Sequence, residues 1–267
     1  MNVENLRKIG RELFFEIGET RLKPFASESI GKGAAGDKTF PIDRQAEEII
    51  VGSLESLDEP MTIVSEEMGI KESAREGMTG NGTIAVIDPI DGSKNAVSGV
   101  PFYCSSIAIA EDTTVGGVSL AYVINLLSGD EFWAERGKGA FFNGEPVHAQ
   151  ESDIFNLIAY ETPNPKLDLP RILPLLAEAR RTRCLGATAL DLSYLAYGSI
   201  SIFAMPSPSR PFDFAAGYLL VKEAGGLCTD MDGNSLDGVS LGVERSVPLL
   251  AAGNRALHER ALTLLHG

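Results

Sequence analysis

The stretch Ile84-Ala85-Val86-Ile87-Asp88-Pro89-Ile90-Asp91-Gly92-Ser93 constrains this chain more than any other. Its apolar, mostly β-branched start reads as a buried strand. The run then meets an acid, a proline that stiffens the backbone, a second acid three residues on, and Gly-Ser. Two carboxylates at a strand end, before a sharp turn able to open a helix, can hold hard cations and aim backbone N–H groups at an anion. Taken alone, the same letters also describe a turn closed by Asp and Gly.

A second strand, Met61-Thr-Ile-Val64, also ends in paired acids, Ser65-Glu66-Glu67. Adjacent like charges repel unless solvated or shared by a cation. If the two strands are parallel neighbours, four carboxylates meet at one end of a sheet, where ligand sites of α/β proteins lie. Two further acids stand close to helix starts. Asp43 closes Thr39-Phe-Pro-Ile-Asp43, and Asp213 follows the stiff Met205-Pro-Ser-Pro-Ser-Arg-Pro211 and precedes the apolar run Phe214–Val221. On the residues alone, Asp43 is equally a dipole-stabilised acid of a first helical turn, and Asp213 sits where an N-cap is expected.

Two near-motifs fail. Gly31, Gly36, Lys38 and Thr39 approach a phosphate-binding P-loop, but Asp37 occupies the lysine position and a helix, not a strand, precedes it. Asp230-Met-Asp232-Gly-Asn234 approaches a calcium loop, but Ser235 replaces the required Gly and Leu241 the bidentate Glu, leaving a surface turn.

Along the chain, helical periodicity covers residues 3–22, with Leu6, Ile9, Leu13 and Ile17 on one face, and resumes at Ala46, Ile49, Ile50 and Leu54. Residues 27–43 read as a loop and 68–82 as a turn-rich connection. Strands follow at 103–110, 116–124 and 131–134, with hairpin-like turns through Arg136–Gly144. Several strands without intervening helices imply a mixed or antiparallel sheet, not a doubly wound one. After strand-like 154–160, Pro163, Pro165 and Pro170 break the chain before a helix over 171–181. This break divides an N-terminal α+β subdomain, 1–160, from a C-terminal α/β subdomain, 161–267, the two working as one unit. A short strand at 182–185, a helix opening at Gly186-Ala-Thr, strands at 200–204 and 249–253, and a closing helix at 255–265 complete the chain.

The formal charge of -14 disfavours a nucleic-acid binder, though bound divalent cations would still let a phosphorylated substrate approach. Cys104, Cys184 and Cys228 have neither zinc-ligand nor disulfide spacing, and His148, His258 and His266 lie outside every candidate site. Charges inside the apolar positions of the N-terminal stretch argue against a signal peptide or membrane span, so a cytoplasmic protein is expected.

Asp88-Pro-Ile-Asp-Gly-Ser93 resembles the metal-binding signature of the inositol monophosphatase superfamily, lithium-sensitive magnesium-dependent sugar phosphatases. The resemblance extends in order through Glu66-Glu67, the Gly137-Lys-Gly-Ala-Phe-Phe-Asn-Gly144 stretch, Gly186-Ala-Thr188 and Asp213-Phe-Ala-Ala-Gly217, where Phe212 replaces the family's Trp. It implies a five-layer α-β-α-β-α sugar phosphatase fold with mixed sheets, and two or three Mg2+ per site, with Mn2+ able to substitute. Glu66, Asp88 and the carbonyl of Ile90 would hold one ion, and Asp88, Asp91 and Asp213 a second. Glu67 would support a third, weaker one. Asp43 and Ser93 would position and deprotonate water, with Glu67 beside them. Gly92, Ser93, Lys94, Gly186, Ala187, Thr188 and Arg210 would contact the substrate.

Animal inositol monophosphatases carry a substrate-contacting Glu seven residues before the last metal-binding Asp, where this chain has Pro206. The form here looks closer to archaeal enzymes acting on inositol phosphate and fructose 1,6-bisphosphate. Lys94 and Arg210 are candidates for a distal phosphate, or simply exposed cations. A 3′-nucleotide bisphosphate or NADP(H) phosphatase, or a non-catalytic metal- or anion-binding protein, are the alternatives. The expected partner is a small phosphorylated sugar or polyol, with no nucleic acid or membrane, and the expected assembly a homodimer.

Overall fold

Apolar residues sit on one stripe of the N-terminal helix and on both faces of the central strands, which dictates layers. The computed structural model describes residues 1–18, 28–73 and 82–267. Its helices are α1 (Val3–Glu16), α2 (Pro41–Ser56), α3 (Ser93–Ser98), α4 (Pro165–Ala177), α5 (Thr188–Ala196), α6 (Pro211–Glu223) and α7 (Arg255–His266). A hairpin, β1 (Gly31–Lys32) and β2 (Lys38–Thr39), precedes two sheets.

The first sheet contains β3 (Met61–Ser65), β4 (Gly69–Ser73), β5 (Ile84–Asp91), β6 (Cys104–Ala110), β7 (Val118–Asn125), β8 (Glu131–Glu135), β9 (Gly139–Phe142) and β10 (Glu145–Val147). Its spatial order is β10-β9-β8-β7-β6-β5-β3-β4. Only β3 and β5 run parallel, with Thr62 beside Ile84 and Ser65 beside Ile87. The second sheet contains β11 (Leu157–Tyr160), β12 (Arg181–Arg183), β13 (Ile202–Ser209), β14 (Leu227–Thr229) and β15 (Val247–Ala252), in the order β12-β11-β13-β15-β14. β11 runs parallel to β12 and β13, and β15 antiparallel to β13 and β14.

Three apolar clusters define five layers. α1 and α2 cover one face of the first sheet through Leu6, Leu13, Ile50, Ile63 and Ile87. α5 and α6 fill the space between the sheets, where Leu190 and Phe214 meet Val86 and Val123 on one side and Phe203 and Leu249 on the other. α4 and α7 close the far face through Ile172, Leu175 and Leu257. The α-β-α-β-α order with mixed sheets is the expected one. α6 is buried nearly all round, as a helix between two sheets must be. Arg7 and Arg11 clamp α1 to Glu131 of β8 at 2.8–3.1 Å, and the Tyr122 hydroxyl donates to the same carboxylate at 3.0 Å.

Several boundaries differ from the sequence reading. α1 ends at Glu16, capped at Ile17, and residues 19–22 lie outside the described residues. The 27–43 loop contains the β1–β2 hairpin and the first turn of α2. Gly69–Ser73 is an edge strand, not turns, because its alternate backbone groups complete the ladder of β3; residues 74–81 are not described. The helix assigned to 171–181 is α4, beginning at Pro165. Pro165 opens it, and Pro170 and Pro174 sit on its exposed face, where water can satisfy the carbonyls they leave without a donor. β13 runs on through Pro206 and Pro208 because its register against β15 shifts between Met205 and Ser209, taking both prolines out of the ladder.

Gly217 lets α6 close on α5. A Cβ there would fall 2.6 Å from Leu192 Cβ, an atom no rotamer change can move away. Gly217→Ala would gain about 1 kcal/mol of helix propensity and lose more to overpacking. We expect a net destabilisation of about 1–2 kcal/mol, measured by urea unfolding; an unchanged or raised midpoint would remove this contact from the account of the central layer.

Candidate active site

The site begins with a register error built into β5. Residues three apart on a strand point to opposite faces, so Asp88 and Asp91 should not share a cavity. Against β6, however, Asp88 pairs with Ser106 and Asp91 with Cys104, three steps against two. The extra residue at Pro89-Ile90 is a bulge, which returns Asp91 to the side of Asp88. The parallel pairing of β3 with β5 then places Glu66, just past the end of β3, beside them. From the opposite direction the β13 irregularity delivers Arg210 and the first turn of α6, with Asp213.

These acids line one cavity of about 340 Å3, within the range of small-molecule sites. Its walls also carry Ile90, Gly92, Ser93, Lys94, Gly186, Thr188 and Arg210. Asp43 lies just behind, next to Ser93. Ala187 is the buried cap residue of α5, and Glu67 is turned away onto the Thr39 hydroxyl; neither lines the cavity. Gly92 needs its missing side chain: it turns β5 into α3 at φ 90°, and a Cβ would sit 3.0 Å from the Phe102 carbonyl oxygen and 3.1 Å from that of Gly186.

Asp213 is not the N-cap of α6. It occupies the third helical position, behind Pro211 at the first, and its Oδ2 reaches back to accept from Arg210 N–H at 3.0 Å and the Ser209 hydroxyl at 2.9 Å. Asp43 repeats the arrangement in α2, behind Pro41, with Oδ2 accepting from Phe40 N–H at 2.7 Å. Each acid caps with one oxygen and keeps the other for the site. Asp91 Oδ2 accepts the Ala189 N–H of α5 at 2.6 Å, so the α5 N-terminus is engaged by the protein's own carboxylate. That leaves Gly92 and Ser93 as the less committed backbone donors facing the cavity.

Burial raises Glu66, Asp88, Asp91, Asp213 and Asp43, and neighbouring carboxylates add to it for Glu66, Asp88, Asp91 and Asp43. Burial foremost, then Glu66, Asp91, Asp213 and Asp43, pushes Asp88 well above the carboxylate range. Burial and Asp213 do the same to Asp91 and to Glu66. Asp213 rises by burial, held back by its hydrogen bonds to Arg210 N–H and Ser209. Burial lifts Asp43 to about 7, against the Phe40 and Ser93 hydrogen-bonding groups that lower it. Asp88 Oδ1 and Asp43 Oδ1 are sealed from solvent without a hydrogen-bond partner among the described residues.

Among the described residues no three His, Cys, Asp or Glu side chains already form a ligand cluster; the acids stand around the cavity instead. The donor set nevertheless fits a hard divalent cation. It is oxygen only, it carries uncompensated negative charge, and Asp88 Oδ1 lacks any other partner.

Four wall residues carried no local signal. Asp37 forms a short ion pair with Arg210, whose other end donates to the Ala35 carbonyl at 2.7 Å, and Arg245 lies 3.9 Å from Asp37. The acid that occupies the P-loop lysine position is thus paired with cations. Asn95 donates to the carbonyls of Phe102 and Leu185 at 2.8 and 2.7 Å, tying α3 to the turn before α5. Glu161, just past β11, accepts the Gly186 N–H at 2.7 Å.

A five-layer fold with carboxylates converging from both sheets onto one small-molecule cavity matches a sugar-phosphatase class of protein. The model of the inositol monophosphatase family matches residues 2–267, and the chain belongs to that family. It is 38% identical over 247 residues to a fructose-1,6-bisphosphatase/inositol-1-monophosphatase of Methanothermobacter thermautotrophicus, covering 90% of this chain and 88% of that one. A bifunctional NADP phosphatase/NAD kinase of Methanococcus maripaludis is 30% identical across 88% of this chain, which spans 44% of that protein. A solved structure of an inositol monophosphatase–fructose 1,6-bisphosphatase superposes with a TM-score of 0.85 at 28% identity, covering 99% of this chain and all of that one. Family membership implies divalent-metal dependence and phosphatase activity. Among the described residues no helix is long and apolar enough to cross a membrane.

The electrostatics predict a gain of stability from a lost charge. With a folded-state pKa above the unfolded one, ionised Asp88 penalises the fold at neutral pH, and the penalty vanishes below the unfolded value near 4. In excess chelator, Asp88→Asn should therefore raise the thermal midpoint at pH 8 by the equivalent of about 1–2 kcal/mol and much less at pH 4.5. Equal effects at both values would show that the acids do not repel across the cavity.

Proposed function

We propose that this protein is a Mg2+-dependent phosphomonoester hydrolase acting on inositol monophosphate and fructose 1,6-bisphosphate. The observation that carries the reading is the set of raised, mutually repelling carboxylates of Glu66, Asp88, Asp91 and Asp213 around a cavity whose floor offers the turn at Gly92-Ser93. The similar fructose-1,6-bisphosphatase/inositol-1-monophosphatases support the substrate choice.

Glu66, Asp88 and the Ile90 carbonyl would hold one divalent ion, and Asp88, Asp91 and Asp213 a second; Glu67, turned onto Thr39, stands outside this set. Bound there, such ions acidify water and neutralise the attacking and leaving oxygens of an in-line displacement. Ser93 and Asp43 handle the proton. The Ser93 hydroxyl donates to the Ile90 carbonyl at 3.1 Å and stands next to Asp43, whose free Oδ1 can accept a proton passed along this pair. With a pKa near 7, Asp43 is poised between holding and releasing that proton at neutrality. Gly92 and Ser93 N–H groups receive phosphate oxygens, and Lys94, exposed and without an ion pair among the described residues, receives a distal phosphate. Gly186 and Thr188 form the wall facing the alcohol, and Arg210, held by Asp37 and Ala35, sets the cavity rim.

Phosphate release from inositol 1-phosphate and fructose 1,6-bisphosphate should require Mg2+ or Mn2+ and stop in excess chelator. Asp213→Asn keeps a capping oxygen, so it should fold yet lose nearly all turnover. Ser93→Ala spares every proposed metal ligand; turnover should fall about 10²–10⁴-fold while calorimetric Mg2+ binding persists. Full chelator-resistant activity, or wild-type turnover in Asp213→Asn, refutes the reading. NADP+ and a 3′,5′-nucleotide bisphosphate are assayed in parallel. A clear preference for either would favour the second reading, to which the NADP phosphatase relative lends support. Lys94→Ala should lower fructose 1,6-bisphosphate turnover more than inositol 1-phosphate turnover; equal effects leave Lys94 a solvated cation.

A further inference from the structure

Glu161 is a carboxylate of the cavity wall that neither the signature segments nor the helix caps explain, and unlike Asp37 it has no ion pair among the described residues. It follows β11 directly, and its backbone N–H donates to the Ala204 carbonyl of β13 at 3.1 Å, so its main chain is fixed by the second sheet. Its two oxygens have different surroundings. Oε1 accepts the Gly186 N–H at 2.7 Å, with Cys184 Sγ 4.0 Å away. Oε2 takes no hydrogen bond from the described residues, and it is not sealed from solvent as Asp88 Oδ1 is. A half-buried side chain is thus pegged by one acceptor while the other stays open in the wall.

Among the described residues no cation is paired with it. Asn95 donates to the Leu185 carbonyl, so the Leu185-Gly186 turn is gripped from both sides and Glu161 has little freedom to swing away. A fixed carboxylate oxygen in a partly desolvated wall repels phosphate and favours neutral O–H donors. It lines the cavity together with Pro163, Gly186 and Thr188.

We infer that Glu161 reads the alcohol portion of the substrate, its Oε2 accepting a hydrogen bond from a ring or chain hydroxyl of a polyol phosphate. This rests on the phosphatase reading and adds a specificity residue to it. Glutamine is the discriminating replacement. With its carbonyl oxygen held by the Gly186 N–H, glutamine presents an NH2 donor where Glu presents Oε2, so the substrate hydroxyl loses its charged acceptor. A merely structural peg would be preserved by glutamine.

The test compares two substrates with one leaving-group skeleton: inositol 1-phosphate, and cyclohexyl phosphate, which lacks the ring hydroxyls. In wild-type protein with saturating Mg2+ the hydroxylated substrate should have the higher kcat/KM. In Glu161→Gln the ratio of the two kcat/KM values should fall about 10–100-fold, the loss of one hydrogen bond to a charged acceptor, with most of it in KM. Glu161→Asp, which withdraws both oxygens from the wall by one methylene, provides a second variant should the first not fold, and should lower the ratio as well. A ratio unchanged within about threefold in a folded variant, or parallel losses on both substrates, overturns the assignment while leaving the phosphatase reading standing. Absence of turnover on both substrates by the wild-type protein overturns that reading and the assignment with it.

Discussion

Parallel pairing of β3 with β5 is the constraint on which the rest of the molecule depends. It sets Glu66 beside a strand that a single-residue bulge has already made to show Asp88 and Asp91 on one side. The result is a concentration of like charge in a partly desolvated place, which weakens the fold wherever those carboxylates are ionised. The fold tolerates this because it spends local dipoles on them. The Ala189 N–H of α5 goes to Asp91, and the Arg210 N–H and Ser209 hydroxyl go to Asp213. Asp88, at the centre, receives nothing for its Oδ1. An arrangement so poorly satisfied by the protein itself is the signature of a site shaped for something else.

One device is used twice. In Phe40-Pro-Ile-Asp43 and Arg210-Pro-Phe-Asp213 a proline occupies the first helical position and an acid the third, reaching back to the N–H of the cap residue. Proline costs nothing at that position, since its missing N–H would have had no partner in the helix. The acid is fixed in rotamer by the capping bond, leaving its second oxygen uncommitted to the cap. Helix capping and site chemistry are therefore one feature, and weighing a cap against a functional role for Asp43 or Asp213 sets up a choice the geometry does not require. The two halves are also held across the cavity: Arg210, from just before α6, is bonded to Asp37 and Ala35 of the β1–β2 hairpin, and that hairpin lies on the Glu66-Glu67 backbone through Ala34 and Ala35 N–H groups at 2.9 and 3.1 Å.

Much of the site was legible locally. Asp88, Asp91 and Asp213 stand at ends of strongly apolar segments, and such ends are visible in a linear sequence. Asp213 was read as the cap, three residues from the true one at Arg210, because Pro211 was taken as the end of a stiff loop, when proline in the first turn is itself a helix start. The Pro-x-Asp repeat was a signal that could have corrected it. Glu161, Asn95, Asp37 and Arg245 had no such signal. Each earns its place in the cavity from a partner at least seven residues away along the chain, and for Asp37 with Arg210 the separation is 173 residues. The proline at 170 misled for a related reason: whether a missing hydrogen bond matters depends on which face of the helix meets water, and only packing decides that.

The sequence by itself determined the elements and the chemistry: apolar runs of the right period, oxygen ligands at their ends, and a charge balance unsuited to nucleic acid. These are properties of neighbours along the chain, set by local sterics and the hydrophobic pattern. Tertiary structure decided which way β3 runs beside β5 and how the bulge at Pro89-Ile90 turns Asp91. It also decided which backbone donors remain uncommitted and which wall residue leaves an acceptor open. Those outcomes follow from pairing and packing between segments far apart in the chain, where one shift of register carries a carboxylate from the cavity to the opposite face of the sheet.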